Sequence, residues 1–140
     1  MCLNGKSHGG WHFRDKKIAS LKRFSLSLSG MRMTYEYEAV ANGETTTLAR
    51  YVYHYGATPE RKLEAVTERM TSEVIDKLNE LNVGGWDGFV GPHPRNVTDG
   101  EMFNFCAETD EEKSIRASGS ENFPPHYREL KDWLGGLLPW

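Results

Sequence analysis

Alternating apolar and polar residues near the start of the chain predict a series of β-strands. Between residues 21 and 29, phenylalanine and leucine alternate with serine, which is typical of a strand with one buried face. Residues 32–40 alternate in the same way, and residues 44–55 are rich in the threonine, tyrosine and valine that favour strands. Asn42-Gly43 favours a type I′ turn between the last two segments, because both central residues of that turn need positive φ. Three antiparallel strands are therefore expected.

The hydrophobic period then changes to that of a helix. Thr58-Pro59-Glu60 has the N-cap, the first-turn proline and the early acidic residue of a helix start. The apolar residues that follow recur at spacings of three and four, which predicts one amphipathic helix of about six turns. Gly84-Gly85 is the predicted end of this helix, since glycine adopts the left-handed conformation easily. The predicted apolar stripe consists of Leu63, Val66, Met70, Val74, Leu78 and Leu81.

The last third of the chain predicts a second hairpin and a final helix. Residues 102–108 and 113–119 are short alternating segments separated by an acidic turn, and an apolar stripe begins at Tyr127. The whole pattern predicts an α+β fold, with an antiparallel sheet in β-β-β-α-β-β-α order and two helices packed on one face. A single domain is expected at 20–140, preceded by an irregular, glycine-rich tail at 1–19.

The segment between the long helix and the second hairpin holds most of the unusual chemistry of the chain. Its Asp-Gly pairs and its Gly-Pro-His-Pro sequence predict a loop of roughly 15 residues, and loops of that length are often functional. One interpretation, which the general burial of aromatic residues favours, is that the two aromatic side chains anchor the loop to the core. The other is a binding rim. Its candidate binding residues are Trp86, Asp87, Phe89, His93 and Arg95.

No catalytic or cofactor motif stands out, so the sequence favours a protein that is not an enzyme and predicts neither a cofactor nor a metal. The enzyme alternative is a small hydrolase, with or without a metal, that uses Asp87, His93 and Asp99 of the 84–100 loop. The N-terminal cysteine and two nearby histidines are too few for a structural zinc site, which normally has four ligands. Cys106 is expected to be a small buried residue, and nothing in the sequence requires a disulfide.

Charge is uneven along the chain although the net value is only −3. Residues 1–57 carry eight basic against four acidic side chains, whereas residues 58–140 carry nine against sixteen. Neither part has the dense basic cluster with interleaved aromatics that nucleic acids require, so nucleic-acid binding is disfavoured. The acidic second part raises a further alternative, an immunity or inhibitor protein that masks a basic partner.

No stretch approaches the ~20 apolar residues of a membrane span, and residues 1–20 contain no signal-peptide core. A cytoplasmic protein is therefore expected from the sequence as written. A trimmed lipoprotein that begins near Cys2, or a secreted protein, stays open as an alternative.

Several short motifs follow one another in the second part of the chain. They are Trp86-Asp87-Gly88-Phe89, Asp99-Gly100, Ile115-Arg116-Ala117-Ser118-Gly119-Ser120, Phe123-Pro124 and Tyr127. Their order resembles a family of small uncharacterised bacterial proteins, a domain of unknown function that is common in Gram-positive gut organisms. The resemblance covers roughly residues 21–138 and is strongest at 84–134. It implies a shared fold and carries no activity, because none is assigned to that family.

Taken as a whole, the sequence favours a non-catalytic binding or interaction module. Its binding surface is expected on the polar face of the sheet or on the central loop. The partner is left open, with a protein favoured.

Overall fold

In the computed structural model, the described residues form a seven-stranded sheet and two α-helices, a mixed α+β fold as expected for the fold class. The structure describes residues 17–30, 33–54, 60–95, 100–109 and 114–140. The Thr58-Pro59 helix start, Asp99 and most of the predicted N-terminal tail lie outside these ranges. The described elements are β1 (Arg23–Ser29), β2 (Thr34–Asn42), β3 (Thr45–His54), β4 (Glu60–Met70), α1 (Thr71–Glu80), a 3-10 helix (Val83–Trp86), β5 (Val90–Gly91), β6 (Met102–Glu108), β7 (Ser114–Ser120) and α2 (Tyr127–Leu137).

The strands lie in the order β4-β3-β2-β1-β6-β7-β5. All neighbouring pairs are antiparallel except β5 and β7, which are parallel. The central strand β1 pairs with β2 on one side and with β6 on the other. The three N-terminal strands and the β6–β7 hairpin are therefore where the alternating patterns predicted them.

The turn between β2 and β3 differs in detail from the predicted one. Asn42 pairs with Thr45, so the two loop residues are Gly43 and Glu44 rather than Asn42 and Gly43. Gly43 has a φ of 70°, and Glu44 is not among the described residues with positive φ. Positive φ at the first loop residue alone fits a type II′ turn, which places glycine there.

The predicted long helix is wrong over its first half. Residues 60–70 form β4, which pairs antiparallel with β3 from Glu60 opposite His54 to Met70 opposite Thr45. Only residues 71–80 form the helix α1. The predicted order β-β-β-α-β-β-α therefore lacks this strand and the short β5. Pairing with the strand-favouring β3 outweighs a local helical pattern here, as tertiary context often does.

A β-bulge explains why β4 does not show a strand period in the sequence. Arg50 of β3 lies opposite Ala65, but the next residue, Tyr51, lies opposite Leu63. Glu64 is thus the extra residue of the bulge, and the alternation of faces shifts by one position at this point. As a result Leu63 and Val66 share a face although they are three residues apart.

The end of α1 and the following segment are also more ordered than a simple loop. Asn82, with a φ of 50°, takes the left-handed position that the sequence assigned to Gly84-Gly85. Those two glycines lie within the 3-10 helix instead. Phe89 N donates to Trp86 O at 2.9 Å across Asp87-Gly88, which confirms the predicted turn.

The core lies on one face of the sheet, which we call the inner face. Phe24, Leu26 and Leu28 of β1 are fully buried there, and their direct partners on β2 and β6 share that face. Side chains of both helices belong to the same buried cluster, and so does Ile18, which precedes β1. The helical members of the cluster that are buried are Val74, Leu78, Tyr127, Leu130 and Leu134.

Candidate functional site

The face of the sheet that points away from this core, which we call the outer face, carries the polar half of each alternating strand. Because opposite residues in neighbouring strands share a face, the register identifies its members across β1, β2, β3 and β4. The serines of β1 line its centre, as the sequence predicts. The residues of the outer face include Arg23, Ser27, Glu36, Glu38, Val40, Tyr51, Arg61, Leu63, Val66, Glu68 and Met70.

An arginine of β4 organises the charges of the outer face. Arg61 Nη1 donates to Glu36 Oε1 at 2.7 Å and to Glu38 Oε2 at 3.0 Å. The Arg61 guanidinium carbon also lies 3.8 Å from the centroid of the Tyr51 ring, which is a cation–π contact. Ser27 Oγ donates to the second oxygen of Glu36 at 2.9 Å. Five side chains from four adjacent strands are thereby joined into one network.

Two opposing effects act on the pKa of Arg61. Desolvation, the largest single effect, lowers it, but the hydrogen bonds to Glu36 and Glu38 and their charges together raise the pKa above its ordinary value. Arg61 is therefore a fixed positive charge at every pH at which the protein is folded. Among the described ion pairs, none joins a basic residue of 1–57 to an acidic residue of 58–140, so the uneven charge of the chain is not neutralised in that way.

Next to this network the outer face exposes large apolar side chains. The relative exposure is 50% for Leu63, 58% for Val66, 51% for Met70 and 44% for Val40. Three of these residues belong to β4, where the bulge brings Leu63 onto the same face as the other two. Neighbouring exposed apolar side chains with a polar border are typical of interaction surfaces, whereas single ones are common everywhere.

The two aromatic candidates of the central loop are core residues. Trp86 is buried, its Nε1 donates to Pro125 O at 3.0 Å, and its ring meets Phe105 edge-on. Phe89 is buried against Phe103. They lie where the anchor interpretation predicts.

The polar candidates of the loop are exposed but do not converge. Asp87 Oδ1 accepts a hydrogen bond from Arg116 N at 3.1 Å, whereas His93 Nδ1 lies 2.8 Å from Ser120 Oγ. Their partners are four residues apart on β7, which at ~3.3 Å per residue separates the two contacts by about 13 Å. The third polar candidate, Arg95, is also exposed. The structure thus does not bring Asp87 and His93 together, and Asp99, the third residue of the hydrolase alternative, lies outside the described residues.

A polar cluster that the sequence did not indicate lies where α2 meets the start of β6. Glu101 accepts hydrogen bonds from Tyr127 Oη at 3.0 Å and from Lys131 Nζ at 2.8 Å. Burial and then the charge of Glu101 raise the pKa of Tyr127, and the same two causes raise the pKa of Tyr35 to about 12. The cluster borders a cleft of about 450 Å³. Both tyrosines are held as neutral hydroxyls, which suits a structural role better than a nucleophile.

A second residue that the sequence left unassigned is Arg50. It faces the core with 3% exposure, because its partner on β2 is the inward-facing Tyr37. Its Nη1 donates to Leu138 O, and its guanidinium stacks at 3.8 Å on the ring of Trp140. Its Nε is buried and has no hydrogen-bond partner among the described residues. The last residues of the sequence therefore cover a buried positive charge.

Within the described residues no group of three or more His, Cys, Asp and Glu side chains is placed to hold a metal ion. Cys106 is buried, as the sequence predicts, and it is disulfide-bonded, which nothing in the sequence required. Cys2, His8 and His12, which the sequence analysis judged too few for a structural zinc site, lie outside the described ranges. In the described part of the chain, no helix has the length and apolar character needed to cross a membrane.

Comparison with known proteins adds no relative. No protein-family model matches the chain, and no match was found among curated proteins or solved structures. The resemblance to a family of Gram-positive bacterial proteins therefore stays a prediction.

Proposed function

We propose that this protein is a non-catalytic binding module whose outer sheet face binds a protein partner. The observation that carries this proposal is the exposure of Leu63, Val66 and Met70 on one face of β4, with Leu63 next to Val66 and Glu68 between Val66 and Met70. If this face of β4 were only in contact with water, polar residues would be expected at these positions, as the serines are on the same face of β1.

The composition of the outer face favours a protein over other ligands. Arg, Tyr and Met are enriched at protein interfaces, and Arg61, Tyr51 and Met70 lie on this face. The acidic pair Glu36 and Glu38 opposes binding of a nucleic-acid backbone, because it offsets the charge of Arg61. A wide sheet surface also lacks the concave shape that encloses a small molecule.

The architecture supports the same assignment. Both helices contribute buried side chains to the inner-face core, and we place both of them on that face. Neither helix then covers the outer face. The central loop is the weaker surface, because Trp86 and Phe89 serve the core and only Asp87, His93 and Arg95 remain for binding.

A matched pair of variants tests which surface binds. The outer-face variant combines Val40→Thr, Leu63→Thr and Val66→Thr, which removes apolar surface but keeps residues that favour strands. The loop variant combines His93→Ala and Arg95→Ala. Both are immobilised beside the native protein, exposed to extract of the native cells, and their captured proteins are quantified by mass spectrometry.

The proposal predicts that the native protein and the loop variant capture the same partner and that the outer-face variant loses it. Thermal unfolding of all three must agree, so that loss of capture is not loss of folding. Retention by the outer-face variant, or a native protein that captures nothing above bare resin, contradicts the proposal. If only the loop variant fails to capture the partner, the central loop is the binding surface.

A further inference from the structure

The edge of the sheet formed by β4 has no partner strand among the described residues. β4 is eleven residues long, whereas β5 at the opposite edge has two. A long edge strand presents a row of backbone N–H and C=O groups that can pair with a strand of another molecule. Natural edges are often blocked by charges of one kind, but β4 carries acidic and basic residues in mixed order. The order of these charges along β4 determines which strand can pair with its free edge.

The residues of β4 divide between the two faces according to their partners on β3. Inner-face residues lie opposite Thr46, Leu48, Arg50, Val52 and His54, and outer-face residues lie opposite the remaining positions. Any strand that pairs with the free edge of β4 must match these faces, because opposite residues lie on the same side of a sheet. The inner set is Glu60, Lys62, Ala65, Thr67 and Arg69, and the outer set is Arg61, Leu63, Val66, Glu68 and Met70.

We infer that two copies of this chain pair through β4, antiparallel about a two-fold axis, with Glu60 of each copy opposite Arg69 of the other. Both residues belong to the inner face, so the faces match. The same register places Arg61 opposite Glu68, and both belong to the outer face. Because the interface is self-complementary, each of these two pairs occurs twice, and both join opposite charges.

The middle of the strand fits this register as well. Leu63 of one copy lies opposite Val66 of the other, which pairs two exposed apolar residues of the outer face. The bulge residue Glu64 lies opposite Ala65, next to the two-fold axis. The bulge therefore does not spoil the match. It is what allows Leu63 and Val66, three residues apart, to meet on one face.

Other antiparallel registers of β4 with itself are worse. A shift of one residue places outer-face side chains opposite inner-face ones and pairs Arg61 with Arg69. A shift of two residues in one direction sets Lys62 opposite Arg69, which are both positive. A shift of two residues in the other direction sets Glu60 opposite Thr67 and leaves Arg69 outside the strand pair. One register alone combines matched faces with opposite charges.

The residues that specify this register are accessible in the single chain. Glu60 is exposed, and the Arg69 side chain is 39% exposed. Arg69 Nε lies 3.8 Å from Glu73, and its Nη1 donates to Glu68 O and Thr67 Oγ1. An arginine has five N–H donors, so the two N–H groups of Nη2 are left for a second carboxylate. A pairing through a single strand is smaller than a standard interface of about 1,600 Å², so the dimer should depend on protein concentration.

This proposal does not rest on the proposed outer-face partner, since Glu60 and Arg69 lie on the inner-face side of β4. A charge swap therefore tests it separately. Glu60→Arg sets arginine opposite arginine in a self-pair, and Arg69→Glu sets glutamate opposite glutamate. A one-to-one mixture of the two variants restores both attractive pairs in the mixed dimer only. The full chain is used throughout.

The molar mass is followed by analytical ultracentrifugation over a range of concentrations, with thermal unfolding as the folding control. The native protein is expected to dimerise, each single variant to dimerise roughly tenfold more weakly, and the mixture to recover native affinity. Added salt should weaken the native dimer. A native protein that stays monomeric, single variants that dimerise like it, or a mixture that does not recover, each overturns the inference.

Discussion

The two faces of the sheet are made by the same strands but differ in what surrounds them. Each face carries one arginine stacked on an aromatic ring, and both cation–π distances are 3.8 Å. Arg50 on the inner face is buried with an unpartnered Nε, whereas Arg61 on the outer face is 37% exposed and binds two glutamates. The same contact therefore serves the packing of the core on one side and an accessible surface on the other. Burial, not the contact itself, decides how much each residue matters for stability.

Truncating an aromatic residue of the core should have the largest effect. Trp86→Ala is expected to lower the free energy of unfolding by about 3–5 kcal/mol, because it leaves a cavity and removes the bond to Pro125 O. Leu63→Ala on the outer face should change it by less than about 0.5 kcal/mol. Urea unfolding measures both, and similar values for the two variants would show that the faces are not different.

Replacing each arginine by lysine compares the two cation–π sites through one chemical change. Arg50→Lys is expected to cost about 1–3 kcal/mol, because lysine cannot stack its charge flat on Trp140 while also bonding to Leu138 O. Arg61→Lys should cost less than about 1 kcal/mol, since its pairs are accessible to water. Urea unfolding measures both changes, and equal decreases in the free energy of unfolding would contradict the claim that burial makes Arg50 the more important residue for stability.

The hydroxyl of Tyr127 should have an effect of intermediate size. Tyr127→Phe removes its bond to Glu101, which accepts as a carboxylate, and should cost about 1–2 kcal/mol at neutral pH. Arg61→Met provides the outer-face comparison and is expected to cost less. The unfolding free energies of both variants at pH 7 test the order.

Alkaline pH should destabilise the native protein through its buried tyrosines. Burial raises the pKa of Tyr35 from 10.0 to about 12, so the folded state keeps a proton that the unfolded state releases. The stability from this group is complete below pH 10 and is lost as pH rises toward 12. Tyr35→Phe should flatten the fall in unfolding free energy between those values. An unchanged slope would mean that Tyr35 does not remain protonated in the fold.

The charged network of the outer face should give the smallest effect. A double-mutant cycle on Arg61→Ala and Glu36→Ala is expected to show a coupling of about 0.2–1 kcal/mol that decreases with added salt. A coupling of several kcal/mol would indicate that this face is as well shielded from water as the core.

Strands with one buried face could be predicted from the sequence because their apolar residues alternate without interruption. β1 is the clearest case, with Phe24, Leu26 and Leu28 all inward. The inward face of β3 could not be decided in this way, since both of its faces carry apolar or aromatic residues. It is set by the neighbouring strand, where Tyr37 lies opposite Arg50.

β4 could not be predicted for a related reason. Leu63, Val66 and Met70 have the spacing of a helix, and they continue the stripe of α1 at Val74. The bulge at Glu64 makes the same spacing compatible with one face of a strand. Only pairing with β3, a tertiary contact, distinguishes the two.

The candidate binding residues of the central loop could also be predicted only in part. The burial of Trp86 and Phe89 follows from their size and could be expected. The separation of Asp87 from His93 could not, because it depends on the residues of β7 that each side chain meets. Asp87 and His93 belong to one loop, but they contact different positions along β7.

The outer apolar surface and the self-complementary edge both depend on residues 60–70 being a strand. NMR backbone shifts and cross-strand contacts between β3 and β4 measure this directly. Extended shifts through 60–70, with contacts between Thr47 and Glu68 and between Tyr51 and Leu63, are the expected result. Helical shifts that continue from 60 into α1 would contradict it and would remove Leu63, Val66 and Met70 from the sheet.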